Sequence, residues 1–451
     1  MLRNSIKLNS ITRLKQINGS SNNNYYFISK PFCSTVATPK PATVDPTPQQ
    51  QEQQQQHNSS SSPCSSTSKL FTSLNGFFEK VKKKSFMVEN YMNGDLKENY
   101  KIEQIKLLDP LGNLHEKKGN EIFKIVEKDL NQMTSNIITT ITEGVSSRSN
   151  YSPAPTKKTH PVLSSISSYY FQLKGKRIRP TIVLLLSRAL STGGGANVGQ
   201  MKLAEIVEMI HTASLVHDDV IDEASTRREV VSINHSYSNK LAILCGDYLL
   251  ARASLLLSSI RNNDVTELMS TALAELVEGE FMQAKSSGAV SFDQYLHKTY
   301  LKTSSLITNS CRSTAILSGA DSNVVNIATD FGKNLGLAFQ IIDDLLDYTS
   351  SEEVFGKPVS VDLTLGLATA PVLYATQEFP QLEKLIKRKF SEKGDVEEAR
   401  SLVLKSKGIE KTRNLAIEYC NKAIQSLLQL PQSEARDILI TLSHTVVTRN
   451  K

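Results

Sequence analysis

No two of the five cysteines (Cys33, Cys64, Cys245, Cys311, Cys420) form a CxxC pair, so neither a zinc knuckle nor a dithiol redox motif is expected. Cysteines this scattered suit a reducing compartment. Long apolar runs are lacking too. None approaches the 18 or so residues of a membrane span, and no transmembrane segment is expected. Lys plus Arg is 52 against 45 Asp plus Glu. Yet no long basic run is interleaved with aromatics, which argues against a nucleic-acid partner. Lys82, Lys83 and Lys84 form the only lysine triple and read as a solvated linker cluster. Alternating strands with hairpin turns are missing as well, so an all-β fold is not expected.

One further absence is local. No Asp or Glu precedes Asp45, while Arg3, Lys7, Arg13, Lys15 and Lys30 are spaced among Leu, Ile, Ser and Asn. An acid-free, Arg- and Ser-containing start without a continuous apolar core reads as a mitochondrial transit peptide over residues 1–40. Residues 41–85 follow as a Gln/Ser/Pro-rich linker, with QQEQQQQH and NSSSSPCSS, too polar to bury a core. Phe71 to Lys84 can be written as a short amphipathic helix, and residues 85–120 as an irregular lead-in.

From Glu121 the pattern turns helical. Ile122, Ile125, Val126, Leu130 and Met133 recur at helical spacing. Further helices are predicted over Pro161–Phe171, Thr181–Leu190, Val198–Asp222, Leu241–Ser259, Thr266–Gln283, Phe292–Ser318, Val324–Tyr348, Thr369–Phe379, Gln381–Lys389, Val396–Lys405 and Lys411–Leu428. Leu241–Ser259 is apolar enough to read as a central helix buried nearly all round. The fold class is all-α: one large helical domain of ten or more helices packed around a central helix.

The chemistry sits on two of these helices. HTASLVHDDVIDEASTRR places Asp218, Asp219 and Asp222 near the end of one. Asp218 and Asp222 are four apart and share a face. FQIIDDLLDYTS repeats the arrangement with Asp343, Asp344 and Asp347. Paired carboxylates on apolar helices are awkward without a cation between them. Two such helices facing each other would cage hard divalent ions. Mg²⁺ fits best, because it binds through one or two carboxylates plus waters and phosphate oxygens. Cations complete the set: Lys176, Arg177 and Arg179 in GKRIRP, Arg227 and Arg228, Lys302 beside Thr303, and Lys357 in GKP. Gln340 lies one turn before Asp343. Acids for metal and several separate cations suit two anionic ligands and the ionisation of a carbon–diphosphate bond. An apolar cavity must then shield the carbocation from water.

With its motifs in this order, the chain resembles the trans-prenyltransferases of the polyprenyl diphosphate synthase family, most of all the long-chain mitochondrial members that make the ubiquinone side chain. The order is GKRIRP, H-x6-DDxxD with RR, KT, FQxxDDxxD, GKP and DLTLGLATAPVLYA, and the likeness spans about residues 95–451. It implies an isoprenoid-synthase helical bundle that elongates an allylic diphosphate primer with isopentenyl diphosphate. Asp218, Asp222, Asp343 and Asp347 would bind Mg²⁺, with Asp344 in support. Lys176, Arg179, His211 and Arg228 would hold the isopentenyl diphosphate, and Arg227, Lys302, Thr303 and Gln340 the allylic one. The catalytic set is then Asp218, Asp222, Asp343 and Lys302. Ala213 and Ser214, where short-chain members carry bulky floor residues, are small, which implies a long product. The resemblance also implies a homodimer or a hetero-oligomer with a second prenyltransferase subunit, and peripheral membrane contact for product release. Two departures stand out: Lys174 where many members have a second glycine, and Leu367 where many have lysine.

Blander readings compete at each position. A single helix-end Asp is ordinarily a solvated charge, and only the second cluster reverses that. Asp219 is either a further ligand or a solvated neighbour. His211 alone would be a core histidine, and its place two turns before Asp218 favours a ligand role. His217 reads as structural, and Arg177 as the cation best explained as a surface charge. A shorter-chain, geranylgeranyl-type synthase shares all these motifs. An HD-type phosphohydrolase would use His217–Asp218 but needs no second acidic helix. A terpene cyclase needs no second diphosphate site. A non-catalytic partner subunit should have lost part of one acidic cluster.

Overall fold

Small hydroxyl side chains share the helix at the centre with the buried Leu306 and Ile307. In the computed structural model, which describes residues 105–112, 122–143, 159–173, 175–191, 193–227, 230–285, 291–349 and 360–449, Ser305–Leu317 buries all but three of its residues. Its Thr308 and Thr314 hydroxyls donate to the carbonyls of Ser304 and Ser310, each at 2.8 Å. Hydroxyls satisfied by the preceding turn can be buried cheaply. This helix takes the central role expected of Leu241–Ser259.

The order of elements is as follows. A 3₁₀ turn, Lys124–Val126, leads into α1 (Glu127–Thr142). Then come α2 (Pro161–Gln172), α3 (Ile178–Ala189) and α4 (Val198–Ile221). Two-residue strands β1 (Thr226–Arg227) and β2 (Val230–Val231) pair antiparallel after α4 and make the one sheet among the described residues. Next are α5 (Ile233–Ser236), α6 (Asn239–Ser258), α7 (Asn263–Lys285) and α8 (Phe292–Thr299). A π-helical turn, Tyr300–Ser304, joins α8 to the central α9 (Ser305–Leu317), so the single helix expected over Phe292–Ser318 is interrupted. The chain continues with α10 (Ser322–Thr349), α11 (Val361–Thr364), α12 (Ala370–Ala375), α13 (Leu382–Lys387), α14 (Asp395–Lys405) and α15 (Gly408–Leu428). The last helix, α16 (Glu434–Thr448), was not among those read from the sequence. The all-α expectation holds, within a unit spanning residues 84–451.

α6 corrects two expectations. By length and composition it could cross a membrane, contrary to the sequence reading. It is also not buried all round. One face, with Ala242, Cys245, Gly246, Leu249 and Ala253, packs in the bundle. The other leaves Ile243, Leu244 and Leu255 exposed by 44, 48 and 51%. Apolar content without a clear stripe hid that division.

Local rules place the acidic helices. α4 begins with a capping box: the Asn197 side chain accepts from the Gln200 N–H, and the Gln200 side chain accepts from the Asn197 N–H, both at 2.9 Å. α4 then runs 24 residues to Ile221, with Asp222 as its C-cap. A large core joins α1 to α10 and α15 to α16, and a smaller one lies under α11 to α14. Residues 1–104, which contain the expected leader, linker and Phe71–Lys84 helix, lie outside the described residues, as do Lys174, Arg228 and Lys357.

Candidate active site

α4 and α10 present Asp218 and Asp343 to one cavity of about 790 Å³. The sequence-predicted residues Lys176, Arg179, His211, Ser214, Asp218, Arg227, Lys302, Thr303, Gln340 and Asp343 line it, and Arg177 borders it as well. Asp222 and Asp347 stand one turn beyond Asp218 and Asp343 on the same helices and are not part of that lining. Ala213 is fully buried beside Ser214. Leu215, Leu276 and Leu306 supply apolar wall.

The acidic side is charged under strain. Burial pushes the Asp218 carboxyl up to about 7, repulsion from Glu280 and Asp222 adds to this, and Lys302 and Arg227 oppose it. Asp343 is pushed up to about 6 by burial and by Asp344, against Arg449, Arg179 and Lys176. Burial also raises Asp347, although its carboxylate accepts from the N–H groups of Val361 at 3.0 Å and Asp362 at 3.1 Å. Among the described residues no three Asp, Glu, His or Cys side chains close a metal cage by themselves. The carboxylates are distributed around the cavity, a donor set that suits ions completing their shells with water and phosphate oxygens.

The middle acid of each cluster does different work. Asp219 is neither solvated nor open to a metal. It is buried, accepts from the Tyr170 hydroxyl at 2.9 Å, and holds Arg227 with Nε at 2.8 Å and Nη2 at 2.6 Å. Asp344 is buried likewise. It accepts from the Tyr295 hydroxyl at 2.6 Å and from Gln340 Nε2 at 2.8 Å. Gln340 in turn accepts from Thr303 Oγ1 at 2.8 Å. Each middle Asp therefore orients a neighbour that faces the cavity.

On the basic side, Arg177 is a structural hinge and not the surface charge expected. It adopts a left-handed φ of 45° as the N-cap of α3. Its guanidinium donates to Phe171 O at 3.0 Å and to the Thr134 hydroxyl. That fixes the turn from which Lys176 and Arg179 reach the cavity. Arg179 Nη1 lies 3.0 Å from His211 Nε2, which puts donor and acceptor on one side of the cavity. His217 points elsewhere, to Ile243 O at 3.2 Å, and lines no part of the cavity. This removes the observation that an HD-type reading needed.

Four charged groups escaped the sequence reading. Glu280 on α7 pairs with Lys302 at 2.6 Å. Arg449, just past α16, pairs with Asp343 at 2.6 Å and stacks on Phe339. Asp362 lies beside Asp344 and Asp347, whose charges and its own burial raise its carboxyl well above the usual range. Lys298 is near Asp344 and Asp362, and burial lowers its ammonium. Lys298 precedes Lys302 by one turn, a signal that was available. Glu280 and Arg449 stood in no motif.

This arrangement of two acid-bearing helices and cationic walls around one partly apolar cavity accompanies a clear family match. The sequence model of the polyprenyl synthetase family fits residues 160–403, and the chain belongs to that family. It is 74% identical to a decaprenyl-diphosphate synthase of Dictyostelium discoideum over 406 residues, covering 86% of this chain and 89% of that one. It is 42% identical to a probable mitochondrial hexaprenyl pyrophosphate synthase of Yarrowia lipolytica, covering 73% and 85%. Its fold matches a crystal structure of a polyprenyl synthase from Caulobacter crescentus CB15, complexed with calcium and isoprenyl diphosphate. There the TM-score is 0.64 at 30% identity, covering 74% of this chain and 98% of that one.

Proposed function

We propose that this chain is a mitochondrial trans-polyprenyl diphosphate synthase. It extends an allylic diphosphate by repeated head-to-tail condensation with isopentenyl diphosphate, giving a long all-trans chain for the ubiquinone side chain. The observation that carries this reading is the convergence of two acidic helices and separate cation sets on one cavity. The names of the Dictyostelium and Yarrowia relatives support the long product, and the latter the compartment.

In this reading Asp218 and Asp222 on one side, and Asp343 and Asp347 on the other, hold Mg²⁺. The burial of Asp218 near Glu280 and Asp222 supports it, since a cation there would relieve their repulsion, as does the calcium and isoprenyl diphosphate in the Caulobacter structure. Bound Mg²⁺ would neutralise the diphosphate as it leaves. Lys176, Arg179 and His211 grip the isopentenyl diphosphate, and Arg228 joins them. Arg227, Lys302, Thr303 and Gln340 hold the allylic diphosphate. The allylic bond ionises and releases diphosphate, the isopentenyl double bond attacks the cation, and the proton then lost passes to the departing diphosphate. Leu215, Leu276 and Leu306 keep water from the cation. Ser214 leaves the cavity open along α4 for the growing chain. The exposed apolar faces of α6 and α7, with Ile243, Leu244, Val277 and Phe281, suit burial against a second prenyltransferase subunit, identical or not.

The test is incubation with a labelled allylic primer, isopentenyl diphosphate and Mg²⁺, with products separated by length. A ladder ending in long chains is expected. Phosphate release alone, a cyclic product or no product would contradict the proposal.

A further inference from the structure

The turn Tyr300–Ser304 is wound wider than an α-helix, and it carries Lys302 and Thr303. Single π turns inside helices gather at functional sites. Here two other helices bring a glycine against the turn. A Cβ at Gly279 on α7 would stand 2.8 Å from Lys302 N and 3.1 Å from Lys302 Cα and Leu301 Cβ. A Cβ at Gly336 on α10 would stand 2.6 Å from Ser304 Cα and Oγ, and 2.8 Å from Ser304 Cβ. Each clash includes a main-chain atom, Lys302 N at 2.8 Å or Ser304 Cα at 2.6 Å, so side-chain rotation alone does not relieve it.

Neither glycine has a positive φ, so backbone freedom is not the reason for it. Alanine is the better helix former at both places. Close approach is what remains. Each glycine also lies near a residue that aims the turn. Glu280, next to Gly279, holds Lys302 at 2.6 Å. Gln340, one turn past Gly336, receives the Thr303 hydroxyl at 2.8 Å. Ser304 Oγ ties the turn to Lys333 O at 2.8 Å.

We propose that Gly279 and Gly336 are positioning residues for the allylic diphosphate subsite. Their missing side chains let α7 and α10 close on the π turn and set how far Lys302 and Thr303 project into the cavity. The inference rests on the assignment of those two residues to the allylic substrate. An added methyl group forces the turn to move, and a misplacement of about 1 Å at a reacting site lowers rate about 100-fold.

Gly332 is the control. It lies one turn before Gly336 on α10, and a Cβ there would stand 2.9 Å from Thr308 Cα and 3.0 Å from Cys311 Cβ and Sγ. The crowding is similar but falls on α9 beyond the π turn.

The experiment compares Gly279→Ala, Gly336→Ala and Gly332→Ala in the full chain, by melting temperature, kcat, and KM for each substrate. All three should melt lower than the parent. Gly279→Ala and Gly336→Ala should lose about 10- to 100-fold in kcat/KM for the allylic diphosphate, with KM for isopentenyl diphosphate little changed. Gly332→Ala should keep both KM values. Parent-like allylic kinetics in both site variants, or an equal loss in Gly332→Ala, would overturn the proposal. Should Gly336→Ala not fold, Gly279→Ala carries the same test. A parent that makes no elongated product overturns the allylic assignment itself. A parent that elongates while the site variants behave like it overturns only the positioning role.

Discussion

Asp218 sits in a field it did not make alone. Burial, Glu280 and Asp222 all press its carboxyl toward protonation, up to about 7, and Lys302 and Arg227 relieve it. Replacing it with Asn removes a repulsive charge and a proposed metal ligand together. Asp218→Asn should therefore lower turnover at least about 100-fold, while the melting temperature without metal stays level or rises. Near-normal turnover would contradict its role. Glu205 makes a cleaner pH probe, since it lies outside the cavity. Burial pushes it up to about 7, against a hydrogen bond from Asn136 at 2.6 Å and the charge of Lys202. A carboxyl whose folded pKa exceeds its unfolded value takes up a proton on folding. Its contribution is full below about 4.5 and is lost as pH rises through about 7. That amounts to roughly 3 to 4 kcal/mol as an upper bound, at about 1.4 kcal/mol per pH unit. Chemical denaturation between pH 5 and 8 should show parent stability falling, and Glu205→Gln should flatten the slope. An unchanged slope would contradict the assignment.

At the scale of elements, caps decide where the acidic helices start and therefore where their carboxylates point. Asn197 caps α4 and also donates to Leu317 O at 2.8 Å, tying the start of α4 to the end of α9. Asn197→Ala should cost about 1–2 kcal/mol in chemical denaturation and leave KM values unchanged. A neutral effect would mean the capping box adds nothing to the tertiary contact. The sequence was informative on this scale where periodicity was strong. The spans of α2, α4, α10 and α15 came out within a few residues, but of the four spaced acids Asp218 and Asp343 line the cavity, while Asp222 ends α4 as its C-cap and Asp347 accepts from the N–H groups of Val361 and Asp362. It misled where polarity and burial part company. α9 is rich in Ser and Thr yet central, because its hydroxyls bond the preceding turn. α6 is rich in Leu yet half exposed. The π turn leaves no trace in hydropathy, since one extra residue in a helix barely shifts the pattern. Ion pairs such as Arg449–Asp343 join residues more than 100 apart and have no local signature.

For the whole molecule, residues 1–40 are proposed to act as a leader to a catalytic unit that works without them. Residues 1–40 fused to a reporter should carry it to mitochondria, and a chain starting near residue 85 should keep full activity. A cytosolic reporter would contradict the first statement and an inactive truncation the second. The larger claim is that one cavity both ionises the primer and houses the growing chain along α4. Ser214 lines that cavity one turn before Asp218, or about 6 Å along the helix. Ala213 is fully buried, so a ring there would overpack the core and confuse length with stability. Ser214→Phe is therefore the direct measurement: products of parent and variant separated by length, under equal conditions. The account predicts long chains from the parent and products of only a few units from Ser214→Phe, with consumption of the primer retained. Full-length product from the variant would mean that the chain does not grow past this face of α4.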